Sequence, residues 1–176
     1  MDNEIYFFCI SVWRTVIMRR EMLFFKCLLF LILGIDLFAQ KSYFVSPYGS
    51  NNNDGSIGRP WQTINSGLGK IFPGDTLNIM EGTYYELLNN FVRTGQPDKM
   101  ITIRNYRTDK AIINGNGQWT VIDFKGKSYY HFKGLEITNG VLAGFNGTNY
   151  HHCVISECII HGIGPSSGTA AGLYVS

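Results

Sequence analysis

The sequence predicts an all-β chain wound as a parallel solenoid. Short alternating runs recur: Thr76-Leu-Asn-Ile79, Thr102-Ile-Arg-Asn-Tyr106, Gly134-Leu-Glu-Ile-Thr138 and Gly172-Leu-Tyr-Val175. Turn signals separate them, notably Asn114-Gly115, Asn139-Gly140 and Asn146-Gly147, residue types that tolerate the positive φ of sharp corners. The recurrence also has a coil-length period. Phe124-Lys-Gly-Lys-Ser-Tyr-Tyr-His131 lines up with Phe145-Asn-Gly-Thr-Asn-Tyr-His-His152 at an offset of 21, and Gly134–Thr138 matches Glu157–His161 at 23. Hairpins give a strand every 8–12 residues or so without such a period, whereas stacked coils give about one per 20–25 residues.

Composition agrees. The 176 residues are 45% apolar, which excludes a wholly disordered chain, and only 16% charged, with 20 glycines. Coils whose inward positions are apolar and whose corners are Asn-Gly leave few places for charge. The formal net charge of +2 provides no field that argues for nucleic acid or an acidic polymer as a partner.

The first 39 residues differ from the rest. Met18-Arg-Arg-Glu-Met-Leu-Phe-Phe-Lys-Cys-Leu-Leu-Phe-Leu-Ile-Leu runs from a basic start into a short apolar core, and Ala39 precedes a polar chain. That is the order of a secretory signal peptide, with cleavage after Ala39. The competing reading is an uncleaved membrane anchor. An uninterrupted span needs about 20 apolar residues, and Lys26 and Asp36 bracket a shorter run. Residues 1–17 are an extension, or the true start is Met18 or Met22. Secretion or surface display is therefore expected, with membrane contact only through this segment. Its removal takes Cys9 and Cys27, leaving Cys153 and Cys158, which read as buried thiols.

Residues 40–72 are expected to form a cap. Trp61, Ile64, Leu68 and Ile71 fall on one face of a short amphipathic helix, with Pro60 in its first turn and Pro73-Gly74 ending it. Such a helix would cover the end of the core, because an open solenoid end exposes strand edges and apolar side chains. Residues 73–176 are then four to five coils, with Ile103, Ile112, Ile122, Leu135, Ile137, Ile159 and Val175 facing inward. The last strand has no closing segment after it, so the chain reads as the N-terminal part of something longer.

Several stretches resemble a known family. Tyr43-Phe-Val-Ser-Pro-Tyr-Gly-Ser, Asn53-Asp-Gly-Ser, Arg59-Pro-Trp-Gln-Thr-Ile, Pro73-Gly-Asp-Thr-Leu and Glu81-Gly-Thr-Tyr-Tyr look like the opening of secreted right-handed parallel β-helix proteins. Lys133-Gly-Leu-Glu-Ile-Thr-Asn and Ser156-Glu-Cys-Ile-Ile-His look like the coils that follow. The resemblance covers roughly residues 41–176. It implies a right-handed parallel β-helix of the pectate lyase-like group, which includes chondroitinase- and alginate lyase-like enzymes. It further implies a polysaccharide partner, a monomer, and lyase chemistry on uronates in the complete protein, with Ca2+ in some full-length lyases.

Such chemistry needs a base for the proton α to the carboxyl group and a cation to stabilise the enolate. The sequence supplies few candidates and no assignable catalytic residue. Lys133 is a candidate base or substrate cation, with Lys125 and Lys127 as lesser ones. Glu136 and Glu157 share the 21-residue offset and are expected to neighbour each other on adjacent coils. His131 and His152 are equivalent by the same offset, and His161 lies beyond them. Tyr129 and Tyr150 form a similar pair, stacking on sugar rings if exposed and filling a coil corner if half-buried. No cofactor or metal site is evident: Asn51-Asn-Asn-Asp-Gly-Ser fails the calcium-loop pattern and reads as a turn cluster. Two readings follow. One is a secreted lyase-related β-helix lacking most of its active face and inactive alone; the other is a non-catalytic carbohydrate-binding or adhesin-like surface solenoid.

Overall fold

The computed structural model describes residues 40–164 and 171–175; the leader lies outside them. Among the described residues ten strands wind into a right-handed parallel β-solenoid of about four turns. The first sheet stacks β1 (Ser42–Val45), β2 (Thr76–Ile79), β4 (Ile101–Asn105), β6 (Tyr130–Lys133) and β8 (Val154–Ser156), all parallel. The second holds β3 (Gly82–Tyr85), β5 (Ala111–Asp123), β7 (Glu136–Gly147), β9 (Ile159–His161) and β10 (Ala171–Val175). β7 pairs with β9 over Glu136–Thr138 and with β10 from Ala143 onward. The register between β5 and β7 shifts between Asn114 and Thr120, so one long strand serves two faces.

Coil length varies more than the sequence period implies. Thr76, Thr102, His131 and Val154 lie side by side, so successive coils take 26, 29 and 23 residues. The corners explain part of this. Two residues join β6 to β7 and two join β8 to β9, whereas Tyr106–Lys110 join β4 to β5. The 23-residue step is repeated in the backbone: positive φ occurs at Gly126 and Asn149, Tyr129 and His152, Gly134 and Glu157, and Asn139 and Gly162. These left-handed corners fix the register, and they correct the 21-residue alignment by two. His131 therefore stands beside Val154 rather than His152, and Tyr129 meets His152 rather than Tyr150.

One continuous core fills the coil. Val45, Ile79, Ile101, Ile103, Ile113, Ile122, Phe132, Leu135, Ile137 and Phe145 are fully or nearly fully buried. Phe91, Phe124, Tyr130, Phe132 and Phe145 pack edge-on or tilted, apart from the stacked pair Tyr130–Phe132, with centroids 5.1–6.3 Å apart, as aromatic quadrupoles prefer. Of the expected inward residues, Ile112 and Ile159 face out. Ile113 and Ile160 take their places, because strand alternation is anchored at the corners rather than by hydrophobicity. The side chain of Val175 lies outside the described residues. Cys153 and Cys158 are free and half-buried at the edge of the core. They occupy the positions that Tyr130 and Leu135 fill one coil earlier, and burial pushes both thiols up.

The helix is shorter than its apolar stripe. α1 covers Ile64–Leu68, with Thr63 as the N-cap accepting from the Ser66 N–H at 3.2 Å. The Glu86 carboxylate accepts from the Ile64 and Asn65 N–H groups at 2.8 and 3.0 Å, satisfying donors that a helix start leaves free. Trp61, Ile64, Leu68 and Ile71 are all buried, as the stripe requires, but Trp61 reaches its position as a β-bridge partner of Val45. The Asn51–Ser56 turn cluster serves this segment. Asn51 Oδ1 accepts from Gln62 and Thr63, and Asn53 O accepts the Trp61 indole N–H at 2.8 Å. Among the described residues no helix is long and apolar enough to cross a membrane.

Candidate functional site

Outward residues of the first sheet form two rows. One runs Ser42, Thr76, Thr102, His131, Val154; the other runs Phe44, Asn78, Arg104, Lys133, Ser156. In the second row neutral positions give way to Arg104 and Lys133, neighbours on adjacent coils. Like charges opposite each other repel unless something intervenes. Here each is held aside by a partner. Arg104 Nε donates to Asn78 Oδ1 at 3.2 Å, and Lys133 Nζ meets Glu157 Oε1 at 3.0 Å.

The long Tyr106–Lys110 corner raises a wall beside this row. Its fold is secured by Asn105, whose amide donates to Asp109 O, and by Asp109, whose carboxylate accepts from Glu81 N. Tyr106 packs edge-on to Phe44, with ring centroids 5.3 Å apart, and the Arg107 guanidinium lies over the Tyr106 ring. Arg104, Asn105, Arg107, Thr108, Lys133, Gly134 and Glu157 enclose an open cleft of about 410 Å³. Gly134 forms part of its floor: it has φ +67°, and an added Cβ would run into the Asn105 side-chain oxygen. Three cations and one carboxylate line this space, an arrangement suited to a polymer carrying carboxylates along its length.

Near the cleft, His131 Nε2 and Ser156 Oγ stand 2.8 Å apart across β6 and β8. A second cluster lies on the next face. Glu136 Oε1 meets His161 Nε2 at 2.9 Å, and its Oε2 meets Lys110 Nζ at 3.2 Å. The hydrogen bond from His161, aided by Lys110, holds the Glu136 carboxyl below the usual carboxylate range.

Lys133 and Glu157 thus meet in the cleft, whereas Glu136 and His161 belong to a separate ion-pair cluster. Glu136 and Glu157 lie on adjacent coils two residues out of register, each with its own cation: Glu136 registers with Ile159, while Glu157 follows Ser156, the partner of Lys133. Tyr150 is half-buried and packs edge-on to Phe124 with centroids 5.2 Å apart, filling a corner. Tyr129 stacks on His152 outside the core. Lys125 pairs with Asp123, and Lys127 donates to Val92 O.

Calcium would need several converging carboxylates. Among the described residues no three His, Cys, Asp or Glu side chains come together, and Asp123, Glu136 and Glu157 are each matched to a cation. These residues do not fit that ion.

The two arginines are what sequence reasoning missed. Arg104 sits in the same outward phase of Thr102-Ile-Arg-Asn as Lys133 does in His131-Phe-Lys. The 29-residue step between them hides the equivalence from any search at 21–23.

Residues 43–175 match a family described as Pel9A-like, right handed beta helix region. Over 72 residues the chain is 39% identical to the uncharacterized protein YwoF of Bacillus subtilis (strain 168), a stretch covering 41% of this chain and 15% of that protein. Over 113 residues it is 26% identical to pectate lyase PEL9 of Emericella nidulans, covering 55% of this chain and 28% of the lyase. A solved rhamnogalacturonan lyase superposes with a TM-score of 0.60 at 18% identity, over 70% of this chain and 36% of that one. The chain spans well under half the length of each of these proteins.

Proposed function

The chain belongs to the Pel9A-like right-handed β-helix family, and from that premise we propose that it is part of a secreted or surface protein acting on uronate-containing polysaccharides. In this reading the corner cleft is the carboxylate-binding portion of a longer active face. The observation that carries it is the convergence of Arg104, Arg107 and Lys133 in one open cleft with a single carboxylate, Glu157. Guanidinium groups bind carboxylates through paired N–H donors, and an open groove along stacked coils admits a chain without requiring an end. The similarity to a pectate lyase and the shared fold of a rhamnogalacturonan lyase support the polymer class. A secreted location is supported by the basic-then-apolar order of Met18–Ala39.

Bond cleavage is not assigned to these coils alone. β-Elimination takes the proton α to the carboxyl group and expels the oxygen at the β carbon, so it needs a base and an enolate stabiliser together. The cleft offers the cations. Its one lysine, Lys133, is engaged by Glu157, which favours a charge clamp and gives weight to a second reading, a non-catalytic polysaccharide-binding solenoid. Retardation in gels containing polygalacturonate, set against a neutral galactan, tests the binding reading. Absorbance from unsaturated products, measured alongside, separates the two: binding without product supports the clamp, and product formation assigns catalysis to these coils. No retardation by either polymer overturns both readings.

A further inference from the structure

Away from the cleft, β5 carries more chain than the coils on either side of it. Tyr85 stands beside Asn114 and Leu88 beside Ile122, so β5 takes eight steps where the preceding coil takes three. The following coil takes seven over the same interval, from Thr138 to Phe145. The surplus emerges at Asn116, Gly117, Gln118 and Trp119, which are all exposed. A left-handed pair, Asn116 at φ +50° and Gly117 at φ +71°, turns the chain outward.

The base of this projection is tied down. Asn114 Oδ1 accepts from the Asn116 N–H at 2.8 Å and from the Asn139 side-chain amide at 3.0 Å. Gly115 is packed so closely that an added Cβ would run into Val121 and, on the next coil, the Asn139 carbonyl. Trp119 and, on the preceding coil, Tyr85 are each 68% exposed, whereas Trp61 is buried. Large aromatic side chains are seldom left so open, and Trp and Tyr concentrate where an apolar ring meets a ligand while its polar tip stays wet. Charge is missing from the projection: Gly115–Thr120 and, on the next coil, Asn139–Ala143 hold no ionisable side chain. The Glu86 carboxylate, next to Tyr85 in the chain, is turned to the N–H groups of α1.

We propose that Trp119, with Tyr85 on the preceding coil, is a stacking platform for a neutral β-linked pyranose chain of the glucan or xylan type. The apolar C–H face of an all-equatorial sugar ring lies flat on an indole, and its rim hydroxyls reach the amides of Asn116 and Gln118, which both donate and accept. The occupant is neutral because no cation stands on this projection to hold a carboxylate, in contrast to the cleft of Arg104, Arg107 and Lys133. The cleft is built at the corner before β5 and the platform at the bend within it, so each stands or falls without the other.

The test is titration of the whole protein with cellohexaose and xylohexaose, read by tryptophan fluorescence and by calorimetry. Trp61 is already shielded, so a saturable blue shift with reduced acrylamide quenching is the expected signal of a covered Trp119. Trp119→Ala abolishes the shift and lowers the calorimetric affinity about tenfold or more, with the unfolding midpoint unchanged. Tyr85→Ala weakens binding by a smaller factor. Arg104→Ala/Lys133→Ala leaves it in place, which separates the platform from the cleft, and hexagalacturonate gives no shift. Three outcomes overturn the proposal: affinity that survives Trp119→Ala in the folded protein, no binding of either neutral hexasaccharide by the parent, or an equal shift with hexagalacturonate.

Discussion

Lys133 Nζ and Glu157 Oε1 stand 3.0 Å apart across one step of the coil. The contact exists because Lys133 registers with Ser156, which places the next residue, Glu157, over the left-handed corner at Gly134. Glu157 itself has φ +56°, a conformation that favours glycine. A charged residue is thus held where its neighbour in the stack is glycine, and its carboxylate lies against one of three cations in an otherwise basic cleft. On the proposed reading of the cleft, Glu157 competes with a polymer carboxylate for these cations.

Replacing Glu157 with Gly should therefore separate stability from binding. Relief of the left-handed backbone offsets a solvent-exposed ion pair of about 0–1 kcal/mol, so the unfolding midpoint stays within about 1 kcal/mol of the parent. Polygalacturonate binding strengthens, because the competing carboxylate is gone. Weaker binding in this variant would show that Glu157 contacts the polymer directly.

The register makes a sharper prediction about adjacent residues. Ile113 is buried and Ile112 faces outward. Ile113→Ala should cost about 2–5 kcal/mol, and Ile112→Ala less than about 1 kcal/mol, by denaturant unfolding. Equal effects would contradict the strand phase.

The second cluster gives a pH dependence. The Glu136 carboxyl lies below its ordinary range because His161 and Lys110 stabilise the charged form. Stability from this cluster is therefore fully present above the unfolded-state carboxylate pKa and is lost as pH falls through the lower folded value. Urea midpoints from neutral to acid pH should fall more steeply for the parent than for Glu136→Gln. Parallel curves would remove Glu136 from the account.

Export is open to direct measurement. N-terminal sequencing of exported material should begin near Gln40. A start upstream of Met22 would contradict cleavage of the leader.

The architecture was readable from sequence because the corners are written in it. Gly126, Gly134 and Gly162 mark left-handed turns, whereas the three Asn-Gly pairs lie within β5 and β7 and only Asn139 among them has positive φ; the 23-residue match of Gly134–Thr138 with Glu157–His161 is the register that the left-handed residues adopt. The 21-residue match misled because Phe, Tyr and His recur in both corners while holding different places. Tyr129 and His152 are the equivalent pair, and Tyr150 fills a corner against Phe124. The face of Ile112 was lost for a related reason. In Ala-Ile-Ile-Asn either isoleucine satisfies alternation, and only the corner chooses between them. The cleft was half legible. Lys133 and Glu157 belong to the regular coils, whereas Arg104 is separated from Lys133 by a 29-residue step and Arg107 enters through a corner of five residues where the later coils have two.

Isothermal calorimetry of oligogalacturonate binding, comparing the parent with the Arg104→Ala/Lys133→Ala variant, tests the account most directly. Hydrogen bonds to charged groups contribute about 1.5–3 kcal/mol each, so the variant should lose at least about tenfold in affinity while keeping its unfolding midpoint. The parent's affinity should also fall as salt rises. Undiminished binding by a folded variant would contradict the assignment of the cleft.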